Sequence, residues 1–346
     1  MRPREAVLQA FNLEVPERPS VTLIGGGSWT IFNSGNTIQQ LASNPEKLAE
    51  VLISFSNKIN SDIVYCGSGY ANYVIAALGG KLKFKNVGPP DIIPLNITDL
   101  EQINKLNISN LENNIIIENI WKSVNLVYEK LSDKYLIAIP TWGPFTIASH
   151  LRGVEGLIMD LHENKKMVHH LMKFALEIDK EYCKPLLEDG LVEAILLADP
   201  VASGDLINKK SFDTFVLPYL IRLNKYYKKY DIKTILHICG NTTDRLDSIL
   251  KSKYDCFSLD SKVDLTQAKN HFADKITFAG NIDPVRILEQ DTPKEVESAV
   301  KKCLDIAYED GGYILSPGCD IPPSVPMNNL QAFFNTALDY KFAGKI

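Results

Sequence analysis

Short apolar runs rich in β-forming residues recur along the chain, separated by longer stretches with helical periodicity or helix-capping residues. There are eight such runs, at residues 20–24, 62–66, 135–139, 193–198, 233–238, 255–259, 275–279 and 312–315. They are nearly continuous in apolar residues, which is typical of parallel strands covered on both faces. Strands that alternate with helices predict a parallel sheet, and eight repeats favour a closed (β/α)8 TIM barrel over an open doubly wound sheet.

Helix-start signals lie between these runs. Thr98 to Glu101 predicts a capping box, and Thr292 to Glu295 predicts a second one with proline at the first helical position. The helix after Thr292 places an apolar stripe at Val296, Val300, Cys303, Leu304 and Ala307. The chain also begins with a helical pattern, which predicts an N-terminal helical extension of the barrel.

The segment between the second and third runs, about residues 70–134, is unusually long for a barrel connection. It contains glycine and proline pairs and an asparagine-rich stretch, and we interpret it as loop and helix rather than as a separate domain. The chain is therefore expected to form one barrel domain over residues 1–346.

Composition narrows the functional classes. The net charge is −5, which argues against binding to nucleic acid or to an anionic membrane surface. The longest apolar runs, such as residues 135–140, are too short to span a bilayer, and the N-terminal segment has no secretory pattern, so we expect a cytoplasmic protein. Six scattered cysteines do not resemble a disulfide framework and indicate a reducing compartment. Abundant lysine, isoleucine and asparagine are typical of an AT-rich anaerobe.

Polar side chains follow the last five predicted strands, at the point where each strand ends. They are Asp199, His237, Cys239, Asp260, Asn281, Asp283, Cys319 and Asp320. In a barrel these ends converge on one face, where the active sites of this fold lie. This convergence predicts a functional site built from several strands.

Three of these residues suit a zinc ion. His237 and Cys239 are two apart at a strand end, so their side chains point to the same side, and Cys319 follows the eighth strand and can reach across the mouth. One imidazole and two thiolates are good zinc ligands, and three protein ligands leave a fourth position open for a reactant. The alternative is that the histidine is only hydrogen-bonded and the cysteines are small buried apolar residues.

The other polar residues have less specific interpretations. Asp199 and, after it in rank, Asp260 could supply a displaceable zinc ligand, orient His237, or cap a helix. Tyr65 and Trp142 are expected to line the pocket, and Asn281 is a further candidate cofactor-binding residue, although residues at its position more often fix a loop.

Three segments of the chain resemble the uroporphyrinogen decarboxylase superfamily. They run from His237 to Asn241, from Gly280 to Pro284 and from Pro317 to Pro322. Within the superfamily, the His-x-Cys motif followed at long range by Cys319 is similar to that of the zinc-dependent cobalamin methyltransferases. The resemblance implies a TIM barrel, zinc on His237, Cys239 and Cys319, and transfer of a methyl group between a corrinoid on a partner corrinoid protein and a small molecule such as a thiol or methyl ether.

One departure from the decarboxylases within the same superfamily bears on the substrate. The resemblance implies that those enzymes hold a polycarboxylate tetrapyrrole with an arginine-containing segment near the first strand. Residues 25–33 of this chain contain no basic residue, which disfavours such a ligand. A metal-free decarboxylase of another acid, a non-catalytic corrinoid- or metal-binding barrel, and a zinc hydrolase remain as alternatives.

Overall fold

The computed structural model describes residues 1–341 and contains an eight-stranded parallel sheet that curves into a barrel. The barrel strands are β1 (Ser20–Val21), β2 (Ile63–Tyr65), β5 (Leu136–Trp142), β6 (Ala194–Ala198), β7 (Lys233–His237), β8 (Cys256–Ser258), β9 (Thr277–Ile282) and β10 (Tyr313–Pro317). Along the sheet they follow the order β1-β10-β9-β8-β7-β6-β5-β2. Every predicted run overlaps one of these strands, so the (β/α)8 TIM barrel expected from the sequence is confirmed.

The barrel closes between β1 and β2, which are joined more sparsely than the other neighbours. The amide of Asp62 donates to the carbonyl of Val21 at 2.8 Å, and the amide of Val21 donates to the Asp62 carboxylate at 2.9 Å. Arg18 pairs with the same carboxylate through both terminal guanidinium nitrogens, at 2.7 and 2.9 Å. A charged side-chain clasp therefore supplements the few backbone hydrogen bonds at this seam.

Helices cover the outside of the barrel. Their bounds are α1 (Pro3–Phe11), α2 (Gly27–Asn33), α3 (Ile38–Ala42), α4 (Pro45–Ser56), α5 (Ala71–Ala77), α6 (Leu100–Lys105), α7 (Ile115–Leu131), α8 (Pro144–Arg152), α9 (Val154–Glu163), α10 (Lys165–Glu188), α11 (Lys209–Ser211), α12 (Leu217–Tyr227), α13 (Leu246–Lys251), α14 (Leu265–Phe272), α15 (Pro293–Ala307) and α16 (Met327–Asp339). Short 3-10 or π-helical turns lie at Ile108–Asn110, Pro200–Ala202, Phe212–Val216, Lys228–Tyr230, Thr243–Arg245 and Arg286–Gln290. Within residues 1–341, no helix combines the length and the apolar character needed to cross a bilayer.

The core has two layers because alternate strand residues point to opposite faces of the sheet. The inner layer fills the barrel with side chains such as Leu136, Leu196 and Ile314. The outer layer packs the other strand face against the helices. Helix α1, the predicted N-terminal extension, places Val7 and Phe11 in the inner layer. It contacts the neighbouring strands β1, β10, β2 and β5, so it lies against the end of the barrel where they begin. The opposite, carboxyl end is left for ligands.

The long insertion after β2 differs from its prediction in one respect. Besides α5, α6 and α7 it contains an antiparallel hairpin, β3 (Lys81–Lys83) and β4 (Asp91–Ile93), where only loop and helix were expected. Both strands are only three residues long and alternate between exposed and half-buried positions. So short a pattern carries almost no periodic signal, which explains the wrong prediction.

The two predicted capping boxes have different outcomes. The one at Thr292 is confirmed, since the Glu295 carboxylate accepts from the Thr292 amide at 2.8 Å. The one at Thr98 is wrong by one residue. Asp99 is the cap, accepting from the Gln102 amide at 2.9 Å, while the Gln102 side chain accepts from the Thr98 amide at 2.8 Å. Aspartate caps at least as well as threonine, and shifting the start by one residue keeps the reciprocal pairing.

Candidate metal site

The barrel brings the three predicted ligands together at its carboxyl end. His237 is the last residue of β7, Cys239 follows two residues later, and Cys319 lies two residues beyond the end of β10. The His237 Nε2 atom is 3.0 Å from the Cys239 sulfur, and the two sulfurs are 3.3 Å apart. All three ligand atoms lie within 4.8 Å of one another. Residues 80 positions apart in sequence thus form one cluster.

The cluster fits a zinc ion in both chemistry and size. Tetrahedral zinc, with Zn–S near 2.3 Å and Zn–N near 2.0–2.1 Å, separates two sulfurs by about 3.8 Å and a sulfur from a nitrogen by about 3.6 Å. The observed separations are smaller by about 0.5 Å, which small side-chain rotations can supply. A set of one imidazole and two thiols leaves the fourth tetrahedral position free, as in catalytic rather than structural zinc sites.

Hydrogen bonds around the cluster fix its geometry. The Nδ1 atom of His237 lies 3.0 Å from the Ser258 hydroxyl and 3.2 Å from the Ser258 carbonyl. A proton on Nδ1 satisfies these oxygens and leaves Nε2, the atom facing the cysteines, with a free lone pair. The Asp260 carboxylate accepts from the Gly240 amide at 2.8 Å and so holds the turn that carries Cys239.

A close approach of two loops explains why glycine precedes Cys319. A Cβ atom on Gly318 would lie 2.4 Å from the backbone nitrogen of Ser261, closer than real Cβ atoms come. The loop after β10 therefore packs directly on the loop after β8, and this contact brings the Cys319 sulfur toward Cys239.

The protonation equilibria of the cluster reflect its burial. Burial opposes the charged form of His237, yet the hydrogen bond and charge of Cys319 outweigh it, so the pKa of His237 is raised. The hydrogen bond with Cys239, together with burial, raises the pKa of the Cys319 thiol. A coordinated zinc ion would oppose this second effect, because a metal deprotonates a ligating thiol outright.

A cavity of about 180 Å³ opens beside the three ligands. Its wall is formed by Ile24, Gly25, Gly67, Ser68, Gly69, Ala71, Asn72, Pro89, Pro140, Thr141, Trp142, Leu196, Ala198, Pro200, His237, Cys239, Cys319 and Asp320. Most of the exposed wall is hydrocarbon, and no lysine or arginine among residues 1–341 contributes to it. A small molecule in this cavity would lie next to the candidate metal ligands and against a mostly apolar wall.

The other predicted site residues occupy different places. Trp142 lines the cavity, as its prediction requires. Tyr65 is buried in the barrel interior and borders a smaller cavity at the β1–β2 seam. Asn281 donates to the carbonyls of Asp260 and Val263, at 3.0 and 2.7 Å, and so fixes the loop after β8. Binding of a cofactor by Tyr65 or Asn281 stays a prediction.

Asp199 supports a helix instead of joining the cluster. Its carboxylate accepts from the Thr146 amide at 2.7 Å, the Thr146 hydroxyl at 2.6 Å and the Phe145 amide at 3.2 Å, all in the first turn of α8. Burial raises its pKa to about 6. A Cβ atom on Gly143 would lie 2.4 Å from this carboxyl group, so only glycine fits there. Of the three roles considered from the sequence, helix capping is the one these contacts match, although the helix is the preceding one.

Two polar residues of the cavity wall were given no role by the sequence. The Asp320 carboxylate accepts from the Gly26 amide at 2.7 Å, which joins the loop after β10 to the glycine turn after β1. Asn72 accepts from the Trp142 ring nitrogen at 2.7 Å and donates to the Pro90 carbonyl at 2.8 Å. Asp320 is part of the strand-end pattern and could have been chosen from it. Asn72 gives no local signal because its partners are distant in sequence.

The fold and the cluster define a (β/α)8 protein with a candidate three-ligand metal site at the carboxyl end of its strands. The family model of uroporphyrinogen decarboxylase (URO-D) matches residues 2–340. The chain therefore belongs to the URO-D family.

Individual relatives within that family carry two kinds of name. The methylcobamide:CoM methyltransferase MtbA of Methanosarcina mazei is 32% identical over 253 residues, which cover 73% of this chain and 72% of the relative. A uroporphyrinogen decarboxylase of Ruthia magnifica is 25% identical over 87% of this chain and 86% of its own. A solved structure of a methyltransferase from Methanosarcina mazei has a TM-score of 0.86 at 22% identity, covering 97% of this chain and 98% of that one, a likeness that supports the fold.

Proposed function

We propose that this protein is a zinc-dependent methyltransferase. It moves a methyl group between a corrinoid carried by a partner corrinoid protein and a small acceptor or donor such as a thiol or methyl ether. One observation carries the proposal: His237, Cys239 and Cys319 converge beside a mostly apolar cavity, so a tetrahedral metal held by these three residues would have one coordination position left for a reactant. The name of the Methanosarcina mazei relative, a methylcobamide:CoM methyltransferase, supports the same chemistry.

In this proposal His237, Cys239 and Cys319 hold the zinc. When bound, zinc lowers the pKa of a coordinated thiol so that it is a nucleophile near neutral pH, or it polarises a methyl donor. Ser258 keeps the Nε2 atom of His237 directed at the metal, and Asp260 keeps the Cys239 turn in place. The cavity wall excludes water from the reacting atoms.

Methyl transfer to a thiol is a balanced displacement in which the sulfur attacks the methyl carbon in line with the carbon–cobalt bond. The new sulfur–carbon bond forms as the carbon–cobalt bond breaks, and its electron pair remains with cobalt, which passes from cobalt(III) to cobalt(I). The thiol proton leaves to solvent. The corrinoid protein docks at the carboxyl end of the barrel, because the opposite end is closed by α1. Transfer in the reverse direction uses the same residues.

The same proposal gives the protein a cytoplasmic location, since two thiolate ligands need a reducing compartment. All six cysteines are free thiols in the structure. Cobalt(I) is readily oxidised, so the activity also suits an anaerobic cell.

The experiment combines metal analysis with a spectroscopic assay. Purified protein is expected to contain one zinc per chain and to convert methylcobalamin to cobalt(I) cobalamin with a panel of thiols, or the reverse with methyl ethers. Cys239→Ala should lose both zinc and activity. Zinc-free protein that decarboxylates an organic acid and keeps full activity after Cys239→Ala would instead establish the metal-free decarboxylase.

A further inference from the structure

Among residues 1–341, no lysine or arginine lines the cavity beside the candidate metal site. Three of its polar side chains, those of Thr141, Trp142 and Asn72, already donate hydrogen bonds within the protein. The Thr141 hydroxyl donates to Asp179 at 2.5 Å, and the Trp142 ring nitrogen donates to Asn72 at 2.7 Å. The Asn72 amide in turn donates to the Pro90 carbonyl. An anionic group placed here would lose its hydration without gaining a lysine or arginine partner from residues 1–341.

Charge at the mouth acts in the same direction. Asp320 lines the cavity, and its carboxylate accepts from the backbone amides of Gly26 and Ile321 and forms no ion pair with a lysine or arginine of residues 1–341. Lys262, in the loop after β8, is ion-paired to Asp205 at 2.7 Å. The Asp205 carboxylate itself packs against Gly240, next to the Cys239 turn. Since the Lys262–Asp205 pair is neutral, Asp320 is the cavity-lining carboxylate that disfavours a second negative charge near the candidate metal ligands.

We propose that the methyl donor or acceptor of this site is an uncharged molecule with a hydrocarbon group next to its sulfur or oxygen, and that an anionic thiol such as 2-mercaptoethanesulfonate (coenzyme M) is discriminated against. This inference rests on the proposed function and names its substrate class. It separates this chain from relatives whose printed names include CoM. The cavity of about 180 Å³ suits a short thiol, a methyl thioether or a small aryl methyl ether.

Binding can be measured without turnover. The proposed zinc ion is replaced by cobalt(II), whose visible absorption changes when a thiolate occupies its fourth coordination position. The ligands are 2-mercaptoethanesulfonate and 3,3-dimethylbutane-1-thiol, which share the same two-carbon arm and differ in a sulfonate against a tert-butyl group of similar shape. We expect the uncharged thiol to bind at least about 10-fold more tightly, since the site leaves a buried anion unpaired.

A matched pair of variants tests the cause. Ala71 is the first residue of α5 and lines the cavity from a half-exposed position, so a long side chain can be accommodated. Ala71→Lys adds a cation at the wall and should reduce the preference for the uncharged thiol several-fold. Ala71→Gln, which adds length without charge, should leave the preference unchanged.

The outcomes separate the two proposals. Tighter binding of the sulfonate by the wild-type protein overturns the substrate inference. Methyl transfer to that thiol would nevertheless keep the methyltransferase assignment. An equal change in the preference for the uncharged thiol in Ala71→Lys and Ala71→Gln also overturns the substrate inference. The proposed function itself is overturned if no thiol binds and if neither methoxybenzene nor 4-methoxybenzoate methylates cobalt(I) cobalamin.

Discussion

The hydrogen bond between Ser258 and His237, a proposed metal ligand, gives the most direct test of the site. The Ser258 hydroxyl lies 3.0 Å from His237 Nδ1, and the Ser258 backbone carbonyl lies 3.2 Å from the same atom. Ser258→Ala removes the first oxygen and keeps the second. Partners of this kind contribute about 10- to 100-fold to metal affinity. Because one acceptor survives, we expect the zinc affinity to fall by about 10-fold, or about 1.4 kcal/mol.

Zinc affinity is measured by competition with a chromophoric chelator at fixed pH. Ser258 is fully buried, so a melting curve of the metal-free variant is needed to separate a local effect from a loss of fold. Ser258→Thr keeps the hydroxyl and serves as the matched control. An affinity that does not change in Ser258→Ala would refute the assignment of Nε2 as the ligand atom fixed by this contact. A loss as large as that of His237→Ala would show that the carbonyl alone cannot hold the ring.

Three further predictions address stability and the cavity. Burial raises the pKa of Asp179 to about 7, so the stability that its neutral form provides is present at low pH and lost as the pH rises through that value. Asp179→Asn cannot ionise, and its free energy of unfolding in urea should therefore rise by about 3 kcal/mol relative to that of the wild type between pH 5 and pH 8. An equal difference between the two proteins at both pH values would contradict this prediction. Trp142→Phe removes the ring nitrogen that donates to Asn72, and it should increase amide hydrogen exchange in the β3–β4 hairpin without changing the zinc content. Unchanged exchange would show that this hydrogen bond does not restrain the hairpin. Thr292→Ala should destabilise the protein by about 1 kcal/mol through loss of the α15 cap, measured by the same urea unfolding, while Thr292→Ser should retain most of the stability.

The sequence predicted the barrel and the ligand triad because both depend on local patterns. The hydrophobic pattern of a strand reflects which of its side chains are buried, and the carboxyl ends of all strands in a parallel barrel lie at the same end of the barrel. His237, Cys239 and Cys319 could be chosen on residue type and strand position alone, and their predicted clustering is what the structure contains.

Contacts between distant segments were beyond such patterns. Asp199 hydrogen-bonds α8, more than fifty positions earlier in the chain, and nothing near Asp199 in sequence indicates that partner. Asn72 is fixed by Trp142, seventy positions away. The β3–β4 hairpin has too few residues to establish a period of two. These features depend on how loops meet in three dimensions, which requires the packed fold.

The placement of the ligands also has a consequence for the lifetime of the protein in the cell. His237 ends β7, Cys239 lies two residues beyond it, and Cys319 follows β10, with β8 and β9 between these two strands in the sheet. A metal held by these three residues would be a reversible cross-link that closes a long stretch of chain across four adjacent strands. Such a ligand stabilises the folded state by about 4 kcal/mol when its free concentration is 1,000 times its dissociation constant. Metal starvation would therefore lower the amount of folded protein as well as its activity, and proteolysis would remove the chains that had lost their cross-link.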